Sequence, residues 1–191
     1  ESDIGKDCGL FEVKQIGSEC FVYLTECKNP AACTIVLRGG SKDVLNEMER
    51  NLHDALQVVK NVYNNPKLVP GGGAIEMAVA VGLRKYGSTI QGIAQLPFLA
   101  ISEALESIPR TLAQNCGVSV IRVITQLRAK HASGDKTYGI NGITGELVDM
   151  NVYGIWEPLA VKEQVLKTAI ESACMILRID DIVSGSKKQH Q

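Results

Sequence analysis

The first third of the chain alternates between apolar and polar residues over short runs, a pattern typical of β-strands. Two runs, LFEVKQIG (10–17) and CFVYLTE (20–26), are joined by Gly17-Ser18-Glu19, and this spacing predicts a β-hairpin. A third run, CTIVLRGG (33–40), follows a turn at Asn29-Pro30 and is predicted to form another strand. So few strands cannot bury a hydrophobic core by themselves.

From Ser41 the spacing of apolar residues lengthens to three or four, as expected of an amphipathic helix. Ser41 is predicted to cap the start of this helix, and Asn64-Asn65-Pro66 to end it. The apolar positions on one face are Leu45, Met48, Leu52, Leu56, Val59 and Tyr63. Asp54 lies roughly opposite this face, so spacing alone predicts a solvated residue within reach of an ion pair with Arg50.

Most of the remaining chain is predicted to be helical. One helix is predicted from Ala74 to about Lys85, and a second from Pro97 through Ile108 with a kink at Pro109. A third helix, VSVIRVITQLRAKH (118–131), is predicted to end at Gly134.

Turn residues and one proline organise the C-terminal part. In YGINGITGELVDM (138–150), Asn141-Gly142 and Thr144-Gly145 predict a small β-hairpin. Pro158 is predicted to begin a long amphipathic helix with apolar residues at Leu159, Val165, Ala169, Ile170, Ala173 and Ile176. The polar tail GSKKQHQ (185–191) is predicted to be disordered. Together the elements predict an α+β fold that is mainly α.

Composition and charge argue against several classes of function, among them nucleic-acid binding and membrane spanning. The chain has 191 residues, of which 45% are hydrophobic and 21% charged, as in a folded globular protein. Its net charge of −1 gives no basic field that would attract nucleic acid or an anionic membrane. No apolar run approaches the roughly 20 residues that cross a bilayer, and the polar start ESDIGKDCGLFEV is unlike a signal peptide. We therefore expect a soluble chain.

The six cysteines form no CxxC pair, and the three histidines are not placed to complete a zinc site. We expect reduced, mostly buried thiols in a reducing compartment rather than a metal or redox site.

The stretch LVPGGGAIEMAVAVG (68–82) sets three glycines between a proline and a helical pattern. Glycine costs backbone entropy, so the run indicates that something lies too close to this backbone for a side chain. Unpaired amides at a helix start favour an anion or a ribose hydroxyl. The run is not a Walker A loop, because the sequence contains no GxxxxGK[ST]. It is not GxGxxG either, because its sixth position is Glu76. A tight loop without ligand and a binding loop are equally good interpretations.

Glu157 immediately precedes Pro158 at a predicted helix start. An acidic residue there complements the helix dipole, and this is the interpretation that the residues alone favour. The alternative is a carboxylate that accepts hydrogen bonds from a ribose. With three histidines in the chain, no Ser-His-Asp or Cys-His arrangement is proposed.

Several stretches occur together in the order seen in group II chaperonins: TIVLRGG, ERNLHDAL, LVPGGGAIEMAVA, ALESIPRTLAQNCG, GINGITGELVDM and GIWEPLAVK, followed by KTAIESACMILRIDDIVSG. The chain therefore resembles this family, and most closely its eukaryotic cytosolic members, over essentially its whole length. The resemblance implies the C-terminal portion of a subunit. Residues 1–31 would end the apical, substrate-binding domain, 32–67 would be the second segment of the intermediate domain, and 68–191 the second segment of the equatorial, ATP-binding domain.

The resemblance also implies an ATP site. Asp54, in the family's intermediate-domain helix, would orient or activate the water that attacks the γ-phosphate. Among the implied nucleotide-binding residues, Gly72 would lie against the ribose, and Gly71 and Gly73 would allow this close approach. Glu157 would hold the ribose hydroxyls with Lys162 nearby, and Asn141, Gly142 and Ile143 would lie beside the adenine. The implied ligands are ATP or ADP with Mg²⁺.

One part of the family's site has no counterpart in the sequence. Group II chaperonins hold the phosphates and Mg²⁺ with a GDGT[TS] loop from their N-terminal half, and SGDKT (133–137) is only superficially similar. We therefore expect the metal ligands in that half and no ATP turnover by this chain alone. The alternative function is a non-catalytic structural or interaction fragment that cannot bind ATP alone.

For the whole subunit the resemblance implies a cytoplasmic, ATP-dependent protein-folding machine. Its partners would be paralogous subunits in a hetero-oligomeric double ring and unfolded proteins such as actin and tubulin. Neither nucleic acid nor a membrane is an expected partner.

Overall fold

The computed structural model describes residues 7–183. It divides into two compact units whose boundary lies between His53 and Asp54, inside one long helix. The domain boundaries implied by the resemblance, after residues 31 and 67, stay predictions. The predicted disordered tail, 185–191, lies outside the described residues.

The first unit contains the predicted N-terminal hairpin. Strands β1 (Leu10–Ile16) and β2 (Glu19–Thr25) pair antiparallel, with Leu10 opposite Thr25 and Ile16 opposite Glu19. Gly17 makes the turn with a φ of 67°, a conformation that glycine adopts without strain. Neither strand contains a buried residue, in agreement with the expectation that these strands cannot form a core.

The predicted third strand, residues 33–40, is wrong. This segment has no regular secondary structure, and the sheet that β1 and β2 form has only these two strands within the described residues. Its apolar side chains Ile35 and Val36 are exposed. A strand requires a hydrogen-bonding partner, and among residues 7–183 this segment pairs with no other strand, so β-branched composition alone is not sufficient.

Helix α1 (Lys42–Asn64) follows with the predicted ends. The amide of Val44 donates to Ser41 Oγ at 3.3 Å, which confirms the cap. The predicted pairing of Arg50 with Asp54 is wrong, because the guanidinium binds Glu47 at 2.7 Å instead. Glu47 lies three residues earlier on the same helix, and both of its carboxylate oxygens accept hydrogen bonds from Arg50 Nη2. No residue of α1 is buried.

The second unit is mainly helical, as predicted. Its helices are α2 (Ala74–Gly87), α3 (Gln95–Leu105), α4 (Ser107–Asn115), α5 (Val120–Ser133), α6 (Met150–Tyr153) and α7 (Leu159–Leu177). The helix predicted from Ala74, the end of α5 at Gly134 and the start of α7 after Pro158 are confirmed. The φ of Gly134 is 109°, so this residue ends the helix in the left-handed region.

The single kinked helix predicted around Pro109 is wrong in detail. The structure has two helices, α3 and α4, with Glu106 between them, and α3 begins two residues before Pro97. Proline lacks an amide and its ring collides with the carbonyl four residues earlier, so the helix restarts instead of continuing. Pro109 then lies in the first turn of α4, where a missing amide is tolerated.

Four short strands connect these helices. They are β3 (Leu68–Pro70), β4 (Tyr138–Ile140), β5 (Leu147–Asp149) and β6 (Trp156–Pro158). The antiparallel pair β4–β5 confirms the second predicted hairpin. The antiparallel pair β3–β6 was not predicted, because three residues are too few to show a strand period.

The core of the second unit lies between α2, α4, α5 and β4. Its buried members are Met77, Ala113, Val123, Ile124, Leu127 and Ile140. Beside it, Glu106 is 1% exposed and accepts hydrogen bonds from Arg84, Arg110 and Arg128. Burial alone would raise the pKa of this carboxyl, but the three guanidinium groups outweigh burial and hold the pKa below its ordinary value. Glu106 thus ties α2, α4 and α5 together.

The expectation of mostly buried thiols is wrong. All six thiols are free, yet none is buried, since Cys8, Cys27 and Cys116 are partly exposed and the other three are exposed. Most lie in the first hairpin, in the segment after it and in α7, none of which contributes to the core. Within residues 7–183, no helix has the length and apolar character to cross a membrane.

Candidate functional site

The glycine loop Gly71–Gly73 lies between β3 and α2 and is held on two sides. The amide of Gly71 donates to Ile155 O at 3.0 Å, which continues the β3–β6 pairing into the loop. The carbonyl of Gly72 accepts from the amide of Ile140 at 2.9 Å, so the loop is also bound to β4. The loop therefore joins β6 and the second hairpin at one place.

The protein packs closely around all three glycines. A Cβ on Gly71 would lie 2.9 Å from Ile155 Cγ2, and one on Gly72 would lie 2.5 Å from Met150 Cε. One on Gly73 would lie 3.0 Å from Pro109 Cβ. Gly72 and Gly73 also have φ of 62° and 77°, which other residues rarely adopt. The sequence predicted that something lies very close to the backbone of this loop. At the Cβ positions of the three glycines, that neighbour is the protein itself.

Two backbone amides of the loop make no hydrogen bond. In the described part of the chain, neither the amide of Gly72 nor that of Gly73 donates a hydrogen bond. Both residues directly precede α2. The N-terminus of a helix is the positive end of its dipole, which favours an acceptor group or an anion there. Gly72 is partly exposed and Gly73 is buried, so the Gly72 amide is the one that can bind an acceptor group.

Glu157 lies beside the loop because β6 pairs with β3, which sets Glu157 opposite Val69. A Cβ on Gly71 would be 3.1 Å from Glu157 Oε1, so this oxygen lies directly against the loop backbone. The other oxygen, Oε2, accepts from Lys162 Nζ at 2.5 Å. No hydrogen bond to Oε1 is found among residues 7–183, and the side chain is 35% exposed. Oε1 is free to accept a hydrogen bond from a hydroxyl group.

Lys162, in the first turns of α7, binds two carboxylates. Its Nζ lies 2.5 Å from Glu157 Oε2 and 2.6 Å from Glu76 Oε1. Burial alone would lower the pKa of Lys162, but hydrogen bonds from its ammonium to Glu157 and Glu76 outweigh burial and raise the pKa. Sequence reasoning missed Glu76, because an acidic residue in the first turn of a helix is ordinary and carries no further signal.

The second hairpin places its tip beside the loop through Ile140. The side-chain oxygen Oδ1 of Asn141 accepts a hydrogen bond from the backbone amide of Ile143 at 2.9 Å. The backbone amide of Asn141 donates to Glu146 O at 2.9 Å, so the turn is held by its own hydrogen bonds. The side chain of Ile143 is 90% exposed, and Gly142 is exposed as well. The tip therefore offers an apolar surface for a planar group.

Asp54 is exposed on α1. Within the described residues no hydrogen bond or ion pair joins it to the glycine loop, the hairpin or Glu157. The structure thus brings together the predicted loop, hairpin, Glu157 and Lys162, and leaves the role of Asp54 a prediction. Within the same residues, no group of three or more His, Cys, Asp or Glu side chains could hold a metal ion.

Comparison with known proteins identifies the relatives of the chain. A family model described as "TCP-1/cpn60 chaperonin family" matches residues 1–187. T-complex protein 1 subunit gamma of Tetrahymena pyriformis is 67% identical over 190 residues, which are 99% of this chain and 34% of that protein. The same-named human protein is 58% identical over 190 residues, 99% of this chain and 35% of its own length. The chain thus spans about a third of the curated relatives that it matches.

A solved structure agrees with these sequence relatives. The open-state monomer of a group II chaperonin from Methanococcoides burtonii is 41% identical, covers 90% of this chain and superposes with a TM-score of 0.66. The match covers 43% of that chain. The resemblance seen in the sequence is therefore confirmed, and these curated relatives are named as gamma subunits. The predicted mainly helical α+β fold is confirmed too.

The packing of the loop predicts a contrast between two glycines. Gly72→Ala should lower stability, because a left-handed φ costs a side chain roughly 1–2 kcal/mol and the new methyl would also overlap Met150. Gly82→Ala, in the middle of α2 with no atom near its Cβ position, should raise stability by roughly 0.5–1 kcal/mol. Thermal unfolding followed by circular dichroism measures both. Equal stability of the two variants would contradict the described loop packing.

Proposed function

This chain belongs to the TCP-1/cpn60 chaperonin family, and on that premise we propose that it forms part of an ATP-dependent molecular chaperone subunit. It supplies the ribose and adenine side of the ATP site together with the catalytic Asp54. The complete subunit works in the cytoplasm, in a hetero-oligomeric double ring with paralogous subunits. There it folds non-native proteins such as actin and tubulin.

The observation that carries this proposal is the meeting of three elements at the glycine loop. The β3–β6 pairing sets the free Glu157 Oε1 against Gly71, and the bond from Ile140 to Gly72 sets the hairpin tip beside the same loop. The unbonded amide of the partly exposed Gly72 completes the set. An acceptor, a donor and an exposed apolar side chain within one short region fit a nucleoside, which has hydroxyl groups, acceptor atoms and an apolar ring face.

Each group has a distinct task in the proposed site. Glu157 accepts hydrogen bonds from the ribose hydroxyls, and the Gly71–Gly73 backbone lies against the sugar. Asn141, Gly142 and Ile143 flank the adenine. Bound Mg-ATP supplies the phosphoryl group and the metal charge that the reaction requires.

Asp54 acts on water rather than on the nucleotide. Its carboxylate orients the attacking water and accepts its proton. Phosphoryl transfer depends mainly on positioning and electrostatics, so one aspartate can serve when metal and phosphates are held elsewhere. We assign the metal ligands and the phosphate loop to the part of the relatives that this chain does not match.

For the 191-residue chain alone, a second function is favoured, that of a non-catalytic interaction fragment. The sequence contains no GDGT[TS] loop to hold phosphates. In addition, apolar side chains along α1 and α7 are exposed, among them Val59, Tyr63, Val165 and Leu177. Such faces are typical of surfaces that pack against further protein.

The two functions separate in a binding experiment on the isolated chain. We expect no detectable binding of labelled ATP, because the groups that neutralise the phosphates are absent. Equilibrium dialysis with the purified 191-residue chain measures this directly. Micromolar binding would show that the fragment alone holds a working site and would contradict the assignment of the phosphate loop to another segment.

Asp54→Asn in the complete subunit, assembled into the ring, should abolish most of this site's share of hydrolysis while ATP binding persists. Loss of a general base lowers the rate by roughly 10²–10⁴-fold, whereas Asp54 contributes no contact to the ribose or base. Single-turnover hydrolysis measures the first quantity and photo-crosslinking of azido-ATP to this subunit measures the second.

Glu49→Gln is the matched control, since Glu49 is exposed on the same helix, five residues earlier. It should change neither quantity. Equal loss of binding and hydrolysis in Asp54→Asn would contradict the role given to Asp54.

A further inference from the structure

Three charged side chains form a series of two ion pairs that runs from the interior of the second unit to the candidate site. Glu76 Oε1 lies 2.6 Å from Lys162 Nζ, and Lys162 Nζ lies 2.5 Å from Glu157 Oε2. The three residues come from different elements, α2, α7 and β6. The lysine therefore connects the helix that follows the glycine loop with the strand that pairs beside it.

The exposed fraction of the side chain rises from the first member of this series to the last. Glu76 is 4% exposed, Lys162 19% and Glu157 35%. A buried carboxylate must be paired, and removing the partner of a buried ion pair is strongly destabilising. Glu76 therefore binds the Lys162 ammonium on the side that faces the protein interior. The side of the ammonium that faces the surface binds Glu157.

The surroundings of Lys162 strengthen these bonds. A small, mainly apolar groove next to Lys162 and Glu76 is lined by Ile75, Val79, Val165 and Leu166. Apolar walls lower the local dielectric constant, which strengthens hydrogen bonds between charged groups and makes a displaced ammonium costly. Lys162 is thus confined between its two carboxylates.

The Glu157 carboxylate is restrained on both sides as a result. Its Oε2 is bound by Lys162, and its Oε1 lies against the Gly71 backbone, where any side chain would meet it at 3.1 Å. A carboxylate with one oxygen bound and the other free has a single direction in which to accept a ligand hydroxyl.

We propose that Lys162 and Glu76 are positioning residues, which aim Glu157 Oε1 at the ribose without contacting the nucleotide themselves. This inference rests on the proposed role of Glu157. It reassigns Lys162, which the family resemblance placed among the nucleotide-binding residues, because its ammonium is already held by two protein carboxylates.

Discrimination between ribose and deoxyribose tests the proposal. Complete subunits carrying each variant are assembled into rings, and azido-ATP is photo-crosslinked to this subunit. ADP, 2′-deoxy-ADP and 3′-deoxy-ADP then compete with the probe. The readout is the ratio of the half-displacing concentrations of a deoxy analogue and of ADP. A hydrogen bond from a hydroxyl to a charged group should give a ratio of roughly tenfold or more in the parent.

Lys162→Met should bring this ratio close to one and should also lower the melting temperature, because Glu76 loses its partner. The double variant Glu76→Gln/Lys162→Met removes both buried charges. It should recover most of the melting temperature while the ratio stays close to one. Lys167→Met, an exposed position on the same helix, should leave the ratio unchanged.

The outcomes separate the inference from the proposed function. If Glu157→Ala abolishes the discrimination but the double variant keeps the parent's ratio, the positioning role is overturned and the ribose role of Glu157 stands. If Glu157→Ala itself keeps the parent's ratio, the ribose role is wrong and the inference falls with it. Loss of the ratio in both variants, with the double variant stably folded, supports the inference.

Discussion

The antiparallel pairing of Leu68–Pro70 with Trp156–Pro158 is the contact on which the candidate site depends. It joins segments almost ninety residues apart, and it continues into the bond from Gly71 to Ile155 O. Through it, Glu157 lies against the glycine loop, and α7 starts where Lys162 can reach both Glu157 and Glu76. Without this pairing the loop and the carboxylate would belong to unrelated parts of the surface.

The loop is also supported from behind by the core of the second unit. Pro109 and Met150 fill the space that side chains at Gly73 and Gly72 would occupy. Pro109 belongs to α4, which the buried Glu106 ties to α2 and α5 through three arginines. A site on such a scaffold is preorganised, since its backbone amides keep their direction when no ligand is bound.

Local chemistry made much of the fold predictable, but little of the site. Gly17 and Asn141-Gly142 marked real hairpins, and Ser41 and Gly134 marked real helix ends, because turns and caps depend on a few neighbouring residues. Residues 33–40 failed as a strand because pairing depends on distant partners. Glu76, Glu157 and Asp54 are ordinary acidic residues by spacing alone. Resemblance to a family singled out Glu157 and Asp54, and only the three-dimensional contacts with Lys162 singled out Glu76.

Amide hydrogen exchange on the assembled ring, with and without ADP, tests the central claim most directly. The amides of Gly72 and Gly73 donate no hydrogen bond in the described structure, whereas that of Gly71 is bonded to Ile155. The account predicts that ADP slows exchange at Gly72, Gly73 and the Asn141–Ile143 turn, with no change in the hairpin of residues 10–25. Unchanged exchange at the glycine loop and the turn, under conditions where the ring binds ADP, would contradict the claim that they form the ribose and adenine side of the site.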